Sequence, residues 1–82
     1  MEARTYSVMI EPAEEGGYWA YVPALPGCFT QGRNLEEVVA MAREAIEGFI
    51  EILAERGKPI PVETHHPRRQ TLDIEVRTPA RA

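Results

Sequence analysis

Glu44, Glu47, Glu51 and Glu55 recur every three or four residues, so on a helix they would share an acidic face. Rows of carboxylates can hold divalent metals. Two-metal hydrolysis needs several of them converging on the attacking and leaving oxygens. No histidine stands in this row, and the first strand-like segment offers Glu11 at its end and no aspartate. A solvated helix face accounts for the row more simply, and such a face could also steer a basic partner. No metal or other cofactor is expected.

Cys28 is the only cysteine. A thiol becomes a nucleophile when a base or a positive neighbour lowers its pKa. Spacing does not place His65 or His66 beside it, and a buried strand cysteine is the simpler reading. Adjacent histidines on an extended segment point apart, which disfavours them as a metal pair. With Pro67, Arg68 and Arg69 they form a short basic stretch, either a solvated loop or a contact for RNA or an acidic partner. Trp19 and Tyr21 read equally well as core and as aromatic anchors of an interface. The candidate partner-binding residues are Trp19, Tyr21, Glu44, Glu47, Glu51 and Glu55. No residue is assigned to catalysis.

The elements that position these residues follow from local patterns. Arg4 to Pro12 alternates, with Tyr6, Val8 and Ile10 on one face, as a half-buried strand does. Ala13 to Gly17 is a charged, glycine-containing hairpin turn. Tyr18 to Val22 is a second strand, with Tyr18, Ala20 and Val22 opposed to Trp19 and Tyr21. Pro23 to Gly27 turns the chain, since Pro26-Gly27 sets a fixed φ beside a residue free to take positive φ. Cys28 to Gln31 is a short third strand.

A long helix follows. Asn34 can accept from the free N–H groups of the first turn, and Glu37 can reach back as in a capping box. Leu35, Val38, Val39, Ala42, Ala45, Ile46, Phe49, Ile50 and Leu53 form one apolar stripe. Gly57 marks the stop, with Pro59 beyond it. Lys58 to Val62 is an extended connector, because its two prolines block helix. Glu63 to Gln70 is a polar loop. Thr71 to Thr78 alternates again as a fourth strand whose charged outer face suits a sheet edge. The expected fold is α+β, in the order β-β-β-α-β, with a three-stranded antiparallel start. It forms one domain over 1–82, with a core from about 4 to 78 and a frayed tail at 79–82.

An 82-residue chain buries only about 60–65% of its unfolded surface, so self-association is a reasonable way to add apolar burial. A homo-oligomer, dimer or tetramer, is expected. A lone cysteine suits a reducing cytoplasm. Glu2 and Arg4 stand where the apolar core of a signal peptide would begin, and no apolar run approaches the roughly 20 residues of a membrane span. The net charge of –4 is uneven: residues 34–57 carry six Glu against Arg43 and Arg56, whereas residues 58–82 are net +2. An acidic helix repels phosphate and suits a basic protein partner.

Tyr18-Trp19-Ala20-Tyr21-Val22-Pro23-Ala24-Leu25-Pro26-Gly27-Cys28 resembles an aromatic-rich strand followed by a Pro-x-Leu-Pro-Gly-Cys turn. Gly32, Leu35-Glu36-Glu37, Ala42, Glu44 and Ala45 resemble a helix entry, and Gly57-Lys58-Pro59-Ile60-Pro61 its exit. In this order, over roughly Tyr6 to Val62, the set resembles the HicB-like antitoxin family, the antitoxin half of bacterial HicA–HicB modules. The resemblance implies a partial RNase H-like fold without nuclease activity. It also implies a cytoplasmic, oligomeric protein that binds and masks a HicA-type, mRNA-cleaving toxin. Many members carry a C-terminal helix-turn-helix or ribbon-helix-helix segment. After Val62 this chain has one expected strand and a short tail, so direct DNA binding is not expected. Asn34 stands where many members have Thr or Ser, a neutral exchange for a cap. The alternative is a stand-alone regulatory or ligand-binding domain without a toxin partner. A cryptic nuclease is a third reading.

Overall fold

The computed structural model describes residues 2–63 and 71–78. The basic stretch with His65, His66, Arg68 and Arg69, and the expected frayed tail, lie outside the described residues. Strands β1 (Glu2–Pro12), β2 (Tyr18–Tyr21) and β3 (Phe29–Gly32) precede the helix α1 (Leu35–Glu55), and β4 (Thr71–Thr78) follows it. All strand pairs are antiparallel and the sheet order is β3-β2-β1-β4. The α+β fold and the order β-β-β-α-β are those expected. The third strand sits one residue later than the alternation suggested, at Phe29–Gly32 rather than Cys28–Gln31.

β1 is long because its two halves have different partners. Residues 9–12 pair with β2, while residues 2–9 pair with β4. Alongside that second half, on the side β2 does not reach, the connector after the helix supplies the missing groups. The Tyr6 hydroxyl donates to the Pro61 carbonyl at 2.6 Å, and the Ser7 N–H donates to Glu63 Oε1 at 3.0 Å. Glu63, expected in a polar loop, thus takes the place of a ladder partner for a buried strand.

One face of the sheet carries the core. Tyr6 and Val8 of β1, Ala20 of β2, and Ile74 and Val76 of β4 pack against Val38, Ala42, Ile46 and Ile50 of α1. Leu25, in the Pro23-Ala24-Leu25-Pro26-Gly27 turn, is fully buried and plugs this layer from a loop. Its N–H donates to the Val22 carbonyl and its carbonyl accepts from the Cys28 N–H, so both backbone groups of the plug are paired. Leu35 shares the angle of the apolar stripe but lies in the first helical turn, where half of it stays exposed.

The helix ends are built by side chains the sequence singles out. Asn34 Oδ1 accepts the Glu37 N–H at 2.8 Å. The return bond differs from a capping box: Glu37 Oε1 accepts from the N–H of Arg33, not of Asn34, at 2.7 Å. The reason is the Arg33 guanidinium, 3.2 Å from Glu37 Oε2, which draws the carboxylate one residue further back. These bonds from Arg33 hold the Glu37 carboxyl below the usual carboxylate range. Its stabilisation is therefore complete above the ordinary glutamate pKa and fades as pH falls through the depressed folded value. At the other end Gly57, with φ +67°, closes a Schellman motif: its N–H reaches the Ala54 carbonyl and the Lys58 N–H reaches that of Leu53. The Asn34→Ala variant is expected to lose about 1 kcal/mol in urea unfolding; no measurable loss would show that the Glu37–Arg33 bonds alone hold the helix start.

Candidate partner-binding surface

The face of the sheet turned away from α1 is divided: Ser7 is buried on it, whereas Trp19 and Tyr21 are exposed. Toward β4 it is polar, with Ser7 Oγ donating to Asp73 Oδ1 at 2.9 Å. Toward β3 it is aromatic. Tyr21 stands opposite Phe29 across the β2–β3 ladder, and Trp19 opposite Gln31. The Trp19 and Phe29 rings are tilted against each other with centroids 6.5 Å apart. Trp19 and Tyr21 are each 42% exposed and Phe29 is 63% exposed. Of the two readings open for Trp19 and Tyr21, the structure places both on this outer face, with neither in the buried core.

Phe29 occupies the edge strand, and there the surface turns the corner. A groove of about 390 Å³ runs between the β3 edge and the C-terminal half of α1. Phe29, Cys28, Ala45, Phe49 and Ile52 supply its apolar lining, and Glu44 and Glu51 stand in its wall. Glu47 and Glu55 are exposed on the same helix but do not line it. The aromatic pair and the acidic row, which the sequence left unconnected, are thus joined through Phe29. Ile52 is 52% exposed and Met41 is also exposed, so α1 carries a second, shallower apolar strip beside the acidic one. Sequence reasoning passed over Phe29, Met41 and Ile52. The signal was present in the last two, which are apolar yet fall outside the main stripe.

A larger hollow, of about 680 Å³, lies where the β1–β2 turn meets the helix start. Of its three charged wall residues, Arg33 and Glu37 are bonded to each other, which leaves Glu15. Among the described residues no group of three His, Cys, Asp or Glu could share a metal ion. Cys28 is buried, and burial pushes its thiol pKa up, which disfavours the thiolate a nucleophile needs.

Residues 6–73 match the family described as HicB_like antitoxin of bacterial toxin-antitoxin system. The chain belongs to the HicB-like antitoxin family. A UPF0150 protein of Thermoplasma acidophilum is 46% identical over 56 residues, which cover 68% of this chain and 81% of that one. Antitoxin HicB 1 of Photorhabdus laumondii is 40% identical over 57 residues, covering 70% of this chain but only 37% of that longer protein. Among solved structures, a chain of the HicA3 and HicB3 toxin-antitoxin complex superposes with a TM-score of 0.67 at 26% identity, covering 92% of this chain and 98% of that one. The N-terminal domain of the Burkholderia pseudomallei antitoxin HicB shares the fold, with a TM-score of 0.68 at 21% identity. In this HicB-like chain the matched span runs through the connector into β4, so it includes both walls of the groove and the whole aromatic patch. No helix among its described residues is long and apolar enough to cross a membrane.

Proposed function

We propose that this chain is an antitoxin that binds a small HicA-type, mRNA-cleaving toxin and neutralises it by covering its active surface, without catalysing a reaction. The observation that carries this reading is the continuous aromatic-to-acidic surface on a chain whose fold matches one from a toxin-antitoxin complex. Trp19 and Tyr21 supply rigid apolar area, the kind of side chain that anchors interfaces. Glu44, Glu47, Glu51 and Glu55 supply the field that steers a basic protein into contact. Both are open to a partner without any rearrangement of the core. In this reading the protein works in the cytoplasm as a homo-oligomer, dimer or tetramer.

The test is co-expression with the small basic protein encoded beside this gene, followed by size-exclusion chromatography and an RNA-cleavage assay. A stable complex in which cleavage stops is the expected result. Absence of any such neighbour, together with no binding to a HicA-type toxin, would remove the toxin-neutralising role.

A second reading is a stand-alone regulatory or ligand-binding domain. It is favoured by the short UPF0150 relatives, which this chain matches over most of their length, whereas it matches a minor part of HicB 1. A gene neighbourhood without a toxin would turn the balance toward it.

A further inference from the structure

Gly48 lies in the interior of the 21-residue helix α1, and a Cβ added there would meet no atom within 4 Å. Glycine inside a helix is unfavourable relative to alanine, because it gives up more backbone freedom on folding. The cost of a glycine there raises the question of what its missing side chain makes room for. The other glycines have reasons within the chain. Gly16, Gly17, Gly27 and Gly57 adopt positive φ, and Gly32 lies against the backbone of Val38. Gly48 has neither, and it lines the groove between β3 and α1.

The surroundings of Gly48 are apolar and open. Phe29 and Ile52 are more than half exposed beside it, and Ala45 and Phe49 continue the wall. Glu44 and Glu51 stand one turn to either side, and among the described residues no lysine or arginine lines the space. A slot that is apolar within and anionic at its rim selects one kind of visitor: an apolar side chain flanked by cationic ones.

We infer that the groove floored by Gly48 is the slot into which the toxin of the reading above inserts an apolar side chain, with Glu44 and Glu51 pairing with lysine or arginine on either side of it. The inference rests on that reading and assigns the place of contact. Gly48 lets the visiting side chain approach the helix backbone. The two glutamates fix its orientation and speed its arrival. The adjoining aromatic patch of Trp19, Tyr21 and Phe29 extends the same interface around the sheet edge.

The experiment measures binding of the purified HicA-type toxin from the co-expression to wild type, to Gly48→Leu and to the double variant Glu44→Gln/Glu51→Gln, with the melting temperature of each free protein. Leucine at 48 would project into the groove from a Cβ position that meets no atom within 4 Å outside its own helix backbone. It is expected to weaken binding at least tenfold while the melting temperature stays level or rises. The double variant is expected to weaken binding several-fold and to flatten its dependence on salt. Should Gly48→Leu lower the melting temperature, the double variant decides alone. Wild-type affinity in Gly48→Leu, or an unchanged salt dependence in the double variant, would overturn the slot and leave the antitoxin reading standing. No binding by wild type would remove both. A change of oligomeric state in free Gly48→Leu, measured by light scattering, would mean that a second copy fills the groove, and it would also overturn the assignment.

Discussion

The Gly32→Ala variant is expected to lose about 3 kcal/mol of stability, near the upper end of what overpacking usually costs. Gly32 ends β3 without a positive φ, so its need for glycine is steric rather than conformational. A Cβ on Gly32 would stand 2.5 Å from the Val38 nitrogen, 2.7 Å from its Cα and 2.9 Å from its Cβ. Two of these are backbone atoms near the start of α1, and Val38 itself is fully buried. No flexible side chain is available to give way. Its own carbonyl is equally hemmed in, since a Cβ on Gly17 would come within 2.5 Å of Gly32 O. Edge strand, helix start and hairpin turn therefore meet at one point with no room for a methyl group. Urea unfolding checks this, with an unchanged m-value as the sign that only stability moved. A loss below about 1 kcal/mol would mean that helix and strand separate cheaply at this junction. The contrast with Gly48 is direct, for there alanine meets nothing and removes a helix-breaking residue.

Truncating Ile46 to alanine is expected to cost about 3–4 kcal/mol, within the range for large-to-small changes in a packed core. Ile46 is fully buried at the middle of the helix face that lies on the sheet. The space it leaves is walled by core residues of both layers and can collapse only in part. The same change at Ile52, six residues on and half exposed, is expected to move stability by no more than about 0.5 kcal/mol. A domain of 82 residues has on the order of 4–12 kcal/mol in all. Loss at Ile46 thus takes a large share of the whole, while Ile52→Ala leaves a folded protein for binding work. Equal losses at the two sites would show that the groove is already filled in the free protein, by a second copy for example.

The strands and the helix were legible because each rests on interactions within a few residues. Alternation at Tyr6, Val8 and Ile10 reflects the two-residue period of a strand. The Asn34 cap and the Gly57 stop reflect orphan groups that any helix end must satisfy. The bond that Glu37 accepts from the Arg33 N–H was one residue away from the expected pattern, because a charged neighbour outside the motif competed for the carboxylate. Leu25 was legible only as part of a turn. Its burial depends on which elements lie beneath the loop, and no local pattern carries that.

The candidate surface divides in the same way. Trp19, Tyr21 and the glutamate row could be singled out by residue type and spacing. That Phe29 joins them, that only Glu44 and Glu51 face the groove, and that Gly48 floors it all depend on where α1 crosses the sheet.

Residue order by itself determined the elements, the two ends of the helix and the inward faces of β1, β2, β4 and α1, since backbone periodicity and capping act over one or two turns of chain. The tertiary structure alone decided the sheet order β3-β2-β1-β4, the divided pairing of β1, the service of Glu63 to that strand, and the continuity of aromatic patch and acidic groove. These involve residues far apart in the chain, such as Ser7 and Glu63 or Phe29 and Ile52. Their meeting is set by how one helix and four strands close over a shared core, which no short window of sequence contains.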